Sequence, residues 1–135
     1  MDLDRALAIS AAGMAAQATR LRVVAENIAN RESTGNAPGA DPYRRRTITF
    51  ANRLDRELGV ETVRVARMGR DASAFPERFE PSHPAADARG YVRLPNVNSL
   101  IENMDMREAN RSYSANLAVL DTTRQMLMRT IEALR

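Results

Sequence analysis

The stretch AENIANRESTG, residues 25–35, is where the chain changes character. Before it runs an alanine-rich segment without proline, which reads as helix; after Asn30 come Gly35, Pro38, Gly39 and Pro42, which read as loop. Stepping back by fours and threes, Ile28, Val24, Leu21, Gln17, Met14, Ser10, Leu7 and Leu3 form a heptad seam with two polar interruptions. Ala6, Ala8, Ala11, Ala12, Ala15, Ala16, Ala18 and Ala25 surround that seam, so most sides of the helix are small and weakly apolar. Such a helix needs cover on most sides, which one partner helix does not supply. Asp2 or Asp4 suits its N-terminal cap, and Asn30 suits a left-handed residue at its end. At ~1.5 Å per residue it is about 40 Å long, more than the roughly 30 Å expected across a compact domain of this size.

The far end of the chain mirrors the beginning. A helix is expected from Asn98 or Ser99 to the C-terminus, opened by a Ser99 to Glu102 capping box. Its seam is Tyr113, Leu117, Leu120, Arg124, Leu127, Ile131 and Leu134, with Met104, Met106, Met126 and Met128 as soft surface beside it. Asn110 and Asn116 fall inside the helix, where asparagine is disfavoured, and are expected either exposed or bonded to a neighbour.

Between the helices the pattern weakens. Residues 45–50, 60–65 and 90–94 alternate well enough for three short strands, while 69–84, with Pro76, Pro81 and Pro84, reads as extended or loop. The expected fold is therefore mainly α: an antiparallel coiled coil of long N- and C-terminal helices (1–30 and 97–135, a discontinuous rod-like domain) with an irregular β-containing module at 31–96.

Composition excludes most chemistry. With 135 residues there is one domain's worth of chain, yet aromatics make up 4%, Trp is absent, and much of the 44% hydrophobic content is alanine. The chain has no cysteine and one histidine, His83, expected as a loop residue, so no catalytic, cofactor-binding or metal set is expected. No apolar run approaches the ~18 residues of a membrane span, and no cleavable secretory signal is expected at the start. All 20 basic residues are arginine, but 17 acidic residues are mixed among them and the net charge is only +3. The alternative reading, a small arginine-rich nucleic-acid-binding protein, would require clustered charge and stacking aromatics; Arg44, Arg45 and Arg46 are expected as a solvated or partner-facing patch.

Several stretches carry a family resemblance. AENIAN with the following Thr34 resembles the N-terminal signature of bacterial flagellar rod and hook proteins. PYRRR (42–46), HPAADARGYVRLPNVN (83–98) and ENMDMREANRSYSANLAVLDTTRQMLMRTIEAL (102–134) are similar to the proximal rod family in particular, while residues 52–79 carry none of its motifs. The resemblance implies a structural, non-enzymatic subunit of the basal-body rod. It further implies export through the flagellar type III apparatus without a cleaved signal peptide, and assembly in the periplasm into a hollow helical shaft. Implied partners are copies of the chain and the rod proteins FlgB, FlgF and FlgG with a FliE-like adaptor; neither nucleic acid nor a transmembrane segment is implied. Subunit contacts are then expected at Leu7, Met14, Leu21, Val24, Asn27, Ile28 and Asn30 of the first helix, and at Tyr113, Asn116, Leu117, Leu120, Leu127, Ile131 and Leu134 of the last.

Overall fold

The computed structural model describes residues 3–134. Two long helices, α1 (Leu3–Ala29) and α2 (Ser99–Ala133), stand at the two ends of the chain. Between them lie strands β1 (Arg46–Asp55), β2 (Val60–Arg70), β3 (Glu77–Phe79) and β4 (Tyr91–Arg93). The fold is mainly α with a small β insertion. The insertion holds four strands rather than three, since β3 falls inside the proline-rich stretch read as extended or loop and not as a paired strand. A three-residue strand is too short to show a period, and only its ladder to β4 reveals it.

Both helix ends are built differently from the sequence expectation. Among the described residues no non-glycine residue has a positive φ, so Asn30 is not left-handed. Instead its backbone N–H (3.1 Å) and its carboxamide Nδ2 (2.9 Å) both donate to the Glu26 carbonyl. The side chain thus adds a second donor to a carbonyl that already accepts the backbone N–H, folding the carboxamide back onto the last turn. At the start of α2, Asn98 is the cap: its Oδ1 accepts from Leu100 N–H at 3.0 Å, with Ile101 N–H further off at 3.4 Å. No capping box forms, because the Glu102 side chain is drawn away from the helix end into a buried ion pair. Of the candidate caps of α1, Asp4 lies in the first turn, where its charge complements the helix dipole, and Asp2 lies outside the described residues.

The chain divides into two compact units. The first gathers Met1–Leu21, Ile48–Arg67 and Met106–Arg135. In it α1 and α2 are antiparallel: Gly13 lies against Asn116, and Arg20 reaches Glu108 at 3.8 Å. The approach at Gly13 is close, since a Cβ there would come within 2.8 Å of the Asn116 carboxamide. This unit also holds the β1–β2 hairpin turn, in which Asp55 Oδ1 accepts from Glu57 N–H (3.0 Å) and Leu58 N–H (3.2 Å). Gly59, at φ 65, closes the turn by donating to Asp55 O, a conformation that costs glycine least.

The second unit comprises Arg22–Thr47 and Met68–Asp105. Val23, Val24, Ala85 and Val92 form its small apolar centre. Strands β3 and β4 pair antiparallel with Glu77 opposite Arg93 and Phe79 opposite Tyr91. Phe79 and Tyr91 meet edge to face at 5.3 Å, and Gly90 leaves the space for that contact: a Cβ on Gly90 would come within 2.9 Å of the Phe79 ring.

Candidate assembly interface

Asn27, the first asparagine of AENIAN, sits in the second unit and is 1% exposed. Its Oδ1 accepts from Arg46 N–H (2.9 Å) and from the Tyr43 hydroxyl (2.8 Å). Its Nδ2 donates to Arg46 O (2.9 Å) and to Glu102 Oε2 (3.1 Å). Two donors and two acceptors are thereby all used, and only a carboxamide offers that pattern on so short a side chain. The residue ties the end of α1 to the start of β1 and the start of α2. It is engaged inside its own chain.

Glu102, 0% exposed, carries the charge of this junction. Its other oxygen takes the Arg45 Nε–H, and the same guanidinium lies 3.6 Å from Asp71 and 3.8 Å from Asp105. Burial alone would lower the Arg45 pKa, but the hydrogen bond and charge of Glu102, with Asp71 and Asp105 behind it, carry it above its ordinary value. Burial, followed by the negative charge of Glu26, pushes the Tyr43 phenol up, so it stays a neutral donor. Asn96 completes the frame: its Oδ1 accepts from Arg45 N–H at 2.7 Å and its Nδ2 donates to Asp71 O at 3.1 Å.

The arginine triplet is therefore not a solvated patch. Arg44 lies 4.1 Å over the Phe75 ring and donates to the carbonyls of Asp71 (2.8 Å) and Ser73 (3.0 Å). Arg45 serves Glu102, and Arg46 pairs with Glu26. Guanidinium planes suit these tasks because each offers several fixed donors and an apolar face. His83 is a loop residue whose Nδ1 accepts from Ala85 N–H at 3.0 Å. Among the described residues no group of three His, Cys, Asp or Glu side chains is placed to hold a metal, and no helix is long and apolar enough to cross a membrane.

The seams are turned relative to the apolar pattern. On α1, Ser10 and Val24 of the expected seam are buried, while Leu7, Met14, Leu21 and Ile28 are only half-buried. The other buried positions of α1 are Gly13, Ala16, Val23 and Asn27, and Asn30 is half-buried just beyond. On α2 the innermost residues are Glu102, Ala109 and Thr123, with half-buried Asn116 in the same column of sevens. Tyr113, Leu120 and Leu127 flank that column, half-buried. Leu117, Ile131 and Leu134 are outside it, at 40%, 48% and 83% exposure. Leu100, Ile101, Met104, Val119, Met126 and Met128 are exposed as well. Asn116, rather than reaching outward, donates to the Ser112 carbonyl at 3.0 Å.

The physical cause is size. Gly13 and Ala16 on α1 and Ala109 on α2 let backbones approach, so the close contact goes to small residues and the large apolar ones remain outside. Sequence periodicity reports all the apolar sides of a helix together; it does not say which of them its own chain covers. A surface with this many exposed large apolar side chains marks an interaction site. The sequence missed Arg46, Glu102 and Tyr43 as partners of Asn27. The usable signal was that Asn27 lies three positions after Val24, on the buried side of α1.

Two antiparallel terminal helices with large apolar side chains exposed along α2 are the arrangement expected of an assembling structural subunit. Residues 88–133 match the family described as flagellar basal body rod FlgEFG protein C-terminal, which makes the class that of flagellar rod proteins. Over 98% of its length the chain is 53% identical to the flagellar basal-body rod protein FlgC of Agrobacterium fabrum, spanning 96% of that relative. It is 41% identical to the FlgC protein of Aquifex aeolicus, over 98% of each chain. With the FlgC protein of Borreliella burgdorferi it shares 35% identity over 100% of this chain and 99% of the relative. The chain belongs to the FlgC family of flagellar basal-body rod proteins, whose members are structural subunits and not enzymes.

Proposed function

We propose that this rod subunit polymerises into the hollow helical shaft of the proximal rod, which transmits torque and passes exported subunits. The observation that carries this reading is the outer side of α2, where Leu117, Met128, Ile131 and Leu134 are exposed on a helix that would have no reason to keep them in a monomer. Repeating one head-to-tail contact yields an open helix rather than a closed ring when the rotation does not close. The discontinuous segment 1–30 and 97–135 is the rod-building part, and 31–96 the accessory module. Leu7, Met14, Leu21 and Ile28, half-buried on α1, share the contact with Leu117, Ile131 and Leu134 on α2.

Neighbours in the shaft are copies of the chain and the rod proteins FlgB, FlgF and FlgG with a FliE-like adaptor. Delivery runs through the flagellar type III apparatus without a cleaved signal peptide, to the periplasmic part of the basal body. Deletion of the gene with complementation tests the reading. The null strain is expected to lose rod, hook and filament while keeping the ring in the membrane. A motile null strain with an intact rod overturns it.

A further inference from the structure

The helices of this chain present a register problem that their apolar residues do not solve. Where α1 and α2 meet in the first unit, the inner side of α2 repeats small or small polar residues every seventh position, Ala109, Asn116 and Thr123, with Asn116 against Gly13. Sliding one helix by a heptad sets Gly13 opposite Thr123 instead of Asn116, a small residue against a small polar one again. Burial energy scales with area and has no direction, at about 25 cal/mol per Å², so it separates such registers poorly.

The junction in the second unit discriminates sharply. The same one-heptad slide sets Ala109 where Glu102 stands. Asn27 then loses the carboxylate that accepts from its Nδ2, and Arg45 loses the Glu102 oxygen that takes its Nε–H. A buried carboxamide then keeps only the Arg46 carbonyl of its two acceptors, and a largely buried guanidinium loses its closest carboxylate and keeps Asp71 at 3.6 Å, each a loss that apolar packing does not replace. Replacing a buried ion pair by apolar residues of similar volume is often neutral or stabilising, so such a pair is weak evidence for stability and better evidence for specificity. In coiled coils a single buried asparagine is known to select register at a cost in stability.

We propose that the Asn27–Arg45–Glu102 cluster is the register key of the helix pair, selecting the one alignment of α2 on α1 among heptad-related alternatives. Tyr43 and Asn96 are positioning residues of the key: one orients the Asn27 carboxamide, the other the Arg45 backbone.

The absence of cysteine from the chain makes the test clean. Two double-cysteine versions of the full-length chain are oxidised in a stabilising osmolyte, and intrachain disulfide is counted by non-reducing mass spectrometry. Gly13→Cys with Asn116→Cys reports the native register, and Gly13→Cys with Thr123→Cys the slipped one. In the otherwise unaltered chain the native pair is expected to dominate. In an Arg45→Met, Glu102→Leu background, helix content by circular dichroism is expected to persist while the native-to-slipped ratio falls about tenfold or more, equivalent to ~1.4 kcal/mol of lost discrimination. Glu102→Gln alone, whose one oxygen can accept from Asn27 or from Arg45 but not from both, is expected to lower the ratio by less than the apolar pair does.

An unchanged ratio in the apolar background overturns the proposal. So does loss of helix together with both disulfides, which reduces the cluster to a stabilising one, and so does failure of the native pair to form in the parent.

Discussion

The junction around Asn27 and the outer side of α2 invert the usual arrangement of a soluble protein. At the junction, a carboxamide, a carboxylate and a guanidinium are enclosed and mutually bonded. Along α2, leucine, isoleucine and methionine face outward. Polar groups inside act through direction: each hydrogen bond has one partner at one distance, so the cluster specifies a geometry. Apolar groups outside act through area, and area is satisfied by whichever neighbour covers it. The difference teaches that the single chain fixes its junction with directional contacts and leaves large apolar side chains of α2 uncovered by its own fold, the contacts the proposed shaft would use.

That contrast can be broken from either side. The largest effect is expected from a charge on the outer stripe. Leu117→Asp should abolish motility and rod formation, because a buried unpaired carboxylate at every repeat of the helix is intolerable. Unfolding of the isolated chain in osmolyte should shift by less than about 0.5 kcal/mol, as for an ordinary surface change. A stability loss of several kcal/mol would mean that Leu117 is covered within its own chain after all.

An intermediate effect is expected inside. Asn27→Ala leaves the Tyr43 hydroxyl, the Glu102 carboxylate and the Arg46 peptide group short of a partner, and should cost about 3 kcal/mol by denaturant unfolding. Asn27→Asp should be at least as harmful, since it turns oxygens toward the Glu102 carboxylate and the Arg46 carbonyl. Were Asp tolerated, the donor role of Nδ2 would have to be abandoned.

The smallest effect separates the two candidate caps of α2. Asn98→Ala should cost about 1 kcal/mol, the usual value of an N-cap, and Ser99→Ala a few tenths. Equal costs would restore the Ser99 to Glu102 capping box and remove Glu102 from the junction.

Much of the architecture was legible before the coordinates. The proline-free, alanine-rich run before Asn30 and the helix start expected at Asn98 or Ser99 delimit helices that the structure places at Leu3–Ala29 and Ser99–Ala133. Of the seven residues of the α2 seam, Tyr113, Leu120 and Leu127 flank the buried column, whereas Leu117, Arg124, Ile131 and Leu134 are exposed. The missing information is rotational, because a stripe of apolar residues on a helix is the same stripe whether its own chain or another one covers it. The fate of Arg44, Arg45 and Arg46 was not legible either. Their partners Phe75, Glu102 and Glu26 are separated from them by 20 to 57 residues of sequence, and charge alone predicts exposure.

By itself, then, the sequence determined which segments are helical and that both ends carry heptad apolar seams. Those properties depend on local propensity, period and composition, which a linear string contains. Only the tertiary structure decided that AENIAN ends in a helix closed by the Asn30 side chain, and that Asn27 is an enclosed four-way contact rather than a surface residue. It alone decided, too, that Glu102 leaves its helix end for Arg45. The contacts of Asn27 and Glu102 depend on donors and acceptors brought within 3 Å or so of one another by chain reversals, and that of Asn30 on a side chain folding back four residues onto Glu26; hydrogen-bond partnership of either kind has no signature at the level of spacing.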